Sequence, residues 1–170
     1  MKMNLKTTAA NGVLPLSLGW RGGMIGFDIV GGPYDRFRKG LNGDFGVCVR
    51  AERVPADVDV WVPIPDFGVP DNHVTVMKAL ETTLRMAMRG KRIWVGCAGG
   101  YGRTGLFLAL LAKCCRVDDP VGYVRAKYNE RAIETVQQSD YVRKFDVSPL
   151  RRKLWFWGWR ERLAQLILSW

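Results

Sequence analysis

The chain has 170 residues, 48% of them hydrophobic and 25% charged, proportions of one globular domain that exclude disordered, collagen-like and coiled-coil chains. Lys and Arg number 26 against 16 Asp and Glu, and the net charge of +10 favours anionic partners: phosphorylated molecules, nucleic acid or an acidic membrane surface. Cys48, Cys97, Cys114 and Cys115 form no C-x-x-C pair, and with His73 the single histidine there is no zinc ligand set, so a reducing, intracellular setting without metal is expected.

Taken in chain order, Met1 to Gly19 places Lys2 and Lys6 before Leu14, Leu16 and Leu18. Thr7, Thr8, Asn11, Gly12 and Pro15 interrupt the apolar pattern, so the segment is not read as a cleaved signal peptide. Gly19 to Gly43, rich in glycine and arginine, predicts loops around a short strand near Phe27–Val30. A buried strand is predicted over 45–49, and a second, alternating one over Val58–Ile64. Val74, Met77, Leu80, Leu84 and Met88 recur at helical spacing from Asn72 to Arg89, and Gly90 ends the helix. Residues 92–96 form a short apolar strand, and an apolar helix over 105–115 follows a glycine-rich turn. Asp119-Pro120 opens another helix with a cap and a proline in its first turn, and Thr135 to Phe145 is one more. Alternating strands and helices imply an α/β fold with a central, mostly parallel sheet flanked by helices. No uninterrupted apolar run is long enough to cross a bilayer.

The segment that carries chemistry runs from Ile93 to Gly105. A strand ends at Cys97, five residues follow (Ala98, Gly99, Gly100, Tyr101, Gly102), and Arg103, Thr104 and Gly105 start a helix. Five residues wrap one phosphate group. Gly99, Gly100 and Gly102 permit positive φ, so successive N–H groups converge on one anion, and the helix N-terminus adds partial positive charge. Arg103 reaches back as a planar fork for two phosphate oxygens. Cys97 is then a thiolate aimed at the phosphorus, and Thr104 donates a hydrogen bond to the sulfur when it leaves. A glycine-rich turn around a structural cysteine would have the same local pattern.

These residues resemble the C-x5-R signature loop of the cysteine-dependent protein tyrosine and dual-specificity phosphatase superfamily. Two other segments match it. Ile64 to Pro70 is similar to the family's mobile acid loop, Trp-Pro-Asp-x-Gly-Val-Pro, with Ile64 in place of tryptophan; the resemblance makes Asp66 the general acid, with Asp71 as a second carboxylate nearby. Ala132 to Gln138 resembles the glutamine loop, which implies that Gln138, or the adjacent Gln137, orients the hydrolytic water. Arg125 and Arg131 resemble positions that brace this loop. Cys48 sits where some lipid-directed relatives carry a cysteine that forms a reversible disulfide with the nucleophile; a small buried hydrophobe is the plainer reading. His73 is expected at the surface, and Tyr101 at the lip of the phosphate loop. The sequence departs from the family at Gly96, where relatives usually have histidine.

The resemblance implies a compact tyrosine phosphatase-like domain over 1–147 that hydrolyses phosphate monoesters through a cysteinyl-phosphate, without cofactor. Phosphoproteins are the first substrate class. An RNA 5′-triphosphatase, a phosphoinositide or phospholipid phosphatase, and an inactive phospho-binding module are the alternatives. Residues 148–170 are read as a basic, Trp-rich amphipathic helical extension with Trp155, Trp159, Leu163, Leu166 and Trp170 on one face, suited to an anionic membrane through 151–170 or to packing on the domain. Arg143 to Trp170 holds 7 Lys and Arg against Asp146 and Glu161, a balance of +5, so half the excess charge lies outside the phosphate loop.

Overall fold

A computed structural model describes residues 11–20 and 23–157. Five strands form one sheet in the order β1-β2-β5-β3-β4 (β1 Gly12–Trp20, β2 Gly23–Pro33, β3 Phe45–Cys48, β4 Val60–Trp61, β5 Ile93–Cys97). β1 pairs antiparallel with β2, and every other pairing is parallel. The architecture is α/β with a central, mostly parallel sheet, as the alternation of elements implies.

The N-terminal part is longer and more regular than the sequence reading. β1 was not anticipated, and β2 extends well beyond the predicted Phe27–Val30. Leu14, Leu16 and Leu18 are buried while Val13, Pro15, Ser17 and Gly19 are exposed, the period-two pattern of a strand covered on one face. Pro15 obscures that pattern, and it is tolerated because β1 is an edge strand, where the missing N–H removes no necessary ladder bond. The strand predicted over Val58–Ile64 is paired as a strand only at Val60–Trp61. Its alternation is real, since Val62 and Ile64 are buried at 1% and 0% exposure, and backbone bonding to the β3 side continues past β4, where Ile64 O accepts from Ala51 N–H at 3.2 Å.

Helix α1 (His73–Met88) starts where Asn72 Oδ1 accepts the Thr75 N–H at 2.9 Å, and Gly90, at φ +77°, turns the chain after its last turn. Its buried face is Val76, Ala79, Leu80, Thr83, Leu84, Ala87 and Met88, while Val74 of the predicted stripe is exposed. α2 (Gly102–Cys114) begins three residues before the predicted Gly105, and nearly all of it is buried, which explains why it shows no strong amphipathic pattern. α3 (Pro120–Lys127) is capped by Asp119, whose carboxylate accepts from Gly122 N–H. α4 (Val136–Lys144) is capped by Thr135 Oγ1, which accepts from Gln138 N–H.

The core lies between the sheet and these helices. Leu106, Phe107, Leu108, Leu110 and Leu111 of α2 are fully buried, each contributing roughly 1.5–3 kcal/mol by transfer from water. Residues 148–157 are helical and run along this core. Leu150 and Leu154 join the main apolar cluster, and Trp157 packs on it under the Arg85 guanidinium, 4.7 Å from the ring centroid. The inward face of the helix is therefore Leu150, Leu154 and Trp157, whereas Trp155 and Phe156 are about half exposed. Trp159, Leu163, Leu166 and Trp170 of the expected apolar stripe lie outside the described residues. Among the described residues no helix is long and apolar enough to cross a membrane.

Candidate active site

β5 lies in the middle of the sheet, parallel to both neighbours, and Cys97 ends it. All five β5 residues are buried. The next element is α2, so residues 98–101 bridge the carboxyl edge of the sheet to a helix N-terminus, the place where open α/β sheets bind ligands. The loop closes on its own first residue. Gly100 N–H donates to Cys97 Sγ at 3.2 Å, and Thr104 Oγ1 accepts from Cys97 N–H at 2.9 Å. The turn needs Gly100 at φ +83°, a conformation that side chains other than glycine resist. Tyr128 Oη donates to Gly100 O at 2.5 Å and fixes the loop from below, its burial pushing that phenol's pKa far up.

Gly96 has a steric reason. A Cβ there would lie 2.6 Å from Gly32 O and 2.7 Å from Tyr34 N, both backbone atoms of the neighbouring chain segment. Histidine is excluded at this position by the close approach of β2 to β5, and its absence reflects packing of the sheet.

Arg103 is 3% exposed, and both terminal nitrogens of its guanidinium have partners. Nη1 donates to Glu52 Oε2 at 2.5 Å and to Ile64 O at 3.3 Å, and Nη2 lies 3.0 Å from Asp66 Oδ1. Burial works against the arginine charge, but the hydrogen bond it donates to Glu52 and the nearby Cys97 and Asp66 outweigh it, leaving its pKa raised. Glu52 is held below the usual carboxylate range, chiefly by the same hydrogen bond.

The acid loop is tied down from α4. Gln138 is fully buried: its Nε2 donates to Gly68 O at 3.1 Å, and its Oε1 accepts from Glu134 N–H at 2.9 Å. Thr135 Oγ1 donates to Phe67 O at 3.2 Å, beside the positive φ of Phe67, 55°. Gln137, the other glutamine, is exposed. Asp71 is not at Arg103; it lines a cavity of about 120 Å³ with Pro65, Pro70, Asn72 and Thr75.

One site thus gathers these groups: Arg103 is joined to Asp66, Gln138 is bonded to Gly68 of the same loop as Asp66, and Cys97 is bonded to Gly100 and Thr104 of its own loop. Cys48 is not part of it. The pleat puts Cys48 in a cluster with Tyr34, Phe37 and Trp94, while Val47, Val49, Val95 and Cys97 belong to the main core on the other face. Burial pushes the Cys48 thiol up, as expected for a packed hydrophobe. The sequence resemblance to a redox partner of Cys97 therefore meets two cysteines whose side chains the sheet directs apart. His73 is exposed and stacks on Phe145, ring centroids 4.0 Å apart.

Two site carboxylates carried no role in the sequence reading. Glu52 pairs with Arg103, and Glu134 Oε2 accepts from Gly102 N–H at 2.8 Å. Glu52 follows β3 on a turn held by Arg50, which is buried, forms a two-pronged pair with Asp35 at 2.8 and 3.1 Å, and donates through Nε to Arg53 O at 3.3 Å. The only sequence signal was a carboxylate between Arg50 and Arg53 just past a strand end.

Because the Glu52 pKa is lowered in the folded state, its contribution to stability is present above the ordinary glutamate value of 4.5 and is lost as pH falls below it. Urea midpoints measured from about pH 6 down to about pH 3 are expected to fall more steeply for the native chain than for Glu52→Gln. Parallel curves would remove the pairing.

No family model matches the chain. Two uncharacterised proteins of Methanocaldococcus jannaschii are 37% and 36% identical to it over 87 and 91 residues, which is 51% and 53% of this chain. The chain spans 58% and 54% of the length of these relatives. Among solved structures, Tk-PTP in its active form superposes with a TM-score of 0.54 at 22% identity, over 63% of this chain and 80% of that one. Kinase associated phosphatase with its catalytic site cysteine replaced by serine superposes with a TM-score of 0.54 at 20% identity, over 88% of this chain and 97% of that one. The strand order, the loop at the end of β5 and these superpositions together give the chain the fold of the protein tyrosine phosphatases.

Proposed function

We propose that the chain is a cysteine-dependent phosphatase that hydrolyses phosphate monoesters, with phosphorylated proteins as its substrate class. The observation that carries this reading is the buried Arg103, joined at once to the loop of Cys97 and to Asp66 of the acid loop. A structural cysteine in a glycine-rich turn requires neither a buried guanidinium nor a carboxylate from another loop paired with it.

In the proposed reaction a phosphate monoester enters the cradle of backbone N–H groups and takes the place of the Asp66 carboxylate on the Arg103 fork. Cys97 Sγ attacks phosphorus; the S–P bond forms as the bond from phosphorus to the leaving oxygen breaks. Asp66 gives its proton to that oxygen, which leaves as an alcohol or phenol. In the second step a water held by Gln138 attacks phosphorus, its proton passes to Asp66, and the S–P bond breaks to release inorganic phosphate. The hydroxyl hydrogen of Thr104 is free for the departing sulfur, since its oxygen already accepts from Cys97 N–H. The backbone amides and Arg103 hold the negative charge that spreads over the phosphoryl oxygens in both steps.

The acid is tested with two aryl phosphates. Asp66→Asn is expected to lower kcat for phenyl phosphate by about 10²–10³-fold. The loss for p-nitrophenyl phosphate is expected to be smaller, because nitrophenoxide leaves without a proton. Equal losses on both substrates would assign Asp66 to loop closure instead of proton transfer.

A further inference from the structure

The loop after Cys97 is rich in glycine, and a glycine that allows a turn does not hold it. Gly99, Gly100 and Gly102 give the backbone between Cys97 and Arg103 a choice of paths. On the path taken here Gly100 has φ +83°, and its carbonyl accepts from Tyr128 Oη at 2.5 Å. The peptide bond that follows is trans, so the Tyr101 N–H lies on the opposite edge of the same plane and points away from Tyr128. Holding one edge of the plane therefore aims the other.

Tyr128 is itself held in a slot. It ends α3 at 7% exposure, and its ring fills the space over Gly12 of β1 and Gly31 of β2, which are partners across the two strands. A Cβ on Gly12 would lie 2.8 Å from that ring and one on Gly31 2.5 Å from it, so any larger residue at either position closes the slot. Burial pushes the pKa of the phenol far up, and the hydroxyl stays a donor around neutral pH. The helix that carries it is fastened as well. Tyr123 Oη donates to Pro15 O of β1 at 2.7 Å. Arg125 braces the segment before α4 through Ala132 O at 3.1 Å and Ile133 O at 2.9 Å, whereas Arg131 stands over the Tyr101 ring, 5.2 Å from its centroid.

We infer that Tyr128 is a positioning residue of the phosphate loop: its hydroxyl, held in the glycine slot, fixes the Gly100–Tyr101 peptide plane with the carbonyl edge turned away from the bound phosphoryl group. The inference rests on the phosphatase reading and makes the β1–β2 pair a support of the site through a side chain that touches no substrate atom. With the plane reversed, the partial negative charge of Gly100 O would face the phosphate where the partial positive charge of an N–H belongs.

Tyr128→Phe keeps the ring in its slot and removes only the donor. Its kcat/KM for p-nitrophenyl phosphate is expected to fall about 10–100-fold, somewhat less than the loss of one whole oxyanion donor. Most of the fall should appear in kcat, since a cradle aimed at the transition state matters most there. The Kd of inorganic phosphate, titrated by calorimetry, should rise about 5-fold, the size of one net hydrogen bond. Tyr128→p-aminophenylalanine keeps an N–H donor at the ring tip and should return kcat to within about 3-fold of native. Tyr123→Phe is the control: it removes a hydrogen bond between the same helix and β1 away from the loop. It should lower the urea midpoint by a similar amount and leave kcat within about 2-fold of native.

A folded Tyr128→Phe chain whose kcat and phosphate Kd stay within about 2-fold of native overturns the inference. A Tyr128→Phe chain that fails to fold overturns it too, because that outcome assigns the hydroxyl to stability alone. If p-aminophenylalanine restores nothing, the loss belongs to ring packing and the positioning role is again overturned. Phosphate binding is read without turnover. Failure of the native chain on p-nitrophenyl phosphate therefore counts against the phosphatase reading, and a phosphate Kd indifferent to Tyr128→Phe counts against the positioning role.

Discussion

Cys97→Ser is expected to reduce p-nitrophenyl phosphate hydrolysis by at least about 10³-fold while leaving the fold intact. Serine is close to cysteine in size and keeps an acceptor for the Gly100 N–H, now 3.2 Å from Sγ, so the loop loses little. What disappears is the sulfur nucleophile. Serine Oγ carries its proton at neutral pH, and the group bonded to the sulfur it replaces is a donor, Gly100 N–H, which cannot take that proton. The check is kcat/KM between pH 5 and 8 for both chains, with circular dichroism and a urea midpoint to show that the variant is folded. A native chain inactive across that range would overturn the phosphatase reading, as would a serine variant that keeps its activity.

Gly96→His is expected to destabilise the chain by about 3 kcal/mol or more. Contacts of 2.6–2.8 Å await the first side-chain atom, and they come from Gly32 O and from the N and Cα of Tyr34. Backbone cannot rotate away as a side chain can, so β2 and β5 must separate where their register pairs Gly32 with Gly96. The clash is already complete at Cβ, so Gly96→Ala should show most of the loss and the imidazole should add the remainder. For a domain of this size a 3 kcal/mol loss lowers Tm by roughly 6–12 °C. Thermal and urea unfolding of the two variants check this. A Gly96→His chain as stable as the native one would mean that β2 and β5 can separate there at little cost.

This second result also bears on the active site. No side chain at position 96 holds the loop after Cys97; Thr104 Oγ1 accepts from Cys97 N–H and Tyr128 Oη donates to Gly100 O. The loop between β5 and α2 is therefore organised by bonds from α2 and from the end of α3. Tyr128 reaches Gly100 O from the end of α3, across Gly31 of β2, where a Cβ would meet the same ring.

The segments that meet at the candidate site were legible from sequence because each is short and local. A cradle for one phosphate needs a strand end, small residues and an arginine at fixed spacing, and all of that lies between Cys97 and Arg103. The acid loop and the glutamine loop are likewise contiguous, and the helices over them announce themselves through Asn72, Asp119 and Thr135 caps. The strands were harder. β1 hides its alternation behind Pro15, which only an edge position permits, and the pattern from Val58 to Ile64 reports burial that extends past its two paired residues.

What the linear chain determined by itself is the set of candidate groups and their local setting: Cys97 at a strand end, Arg103 at a helix start, Asp66 in a proline-bounded turn and Gln138 in a capped helix, each inside a segment whose local backbone preference shapes it. What only the tertiary structure decided is how these groups are partnered. Glu52 on Arg103, Glu134 on Gly102, the facing of Cys48 away from Cys97, the fit of Gly96 against β2 and the seating of Arg131 on Tyr101 all join residues distant in sequence or on different elements. Such contacts depend on how strands and helices are brought together in space. No spacing rule along the chain encodes them, because sequence periodicity reports which face a residue takes and not which residue it meets there.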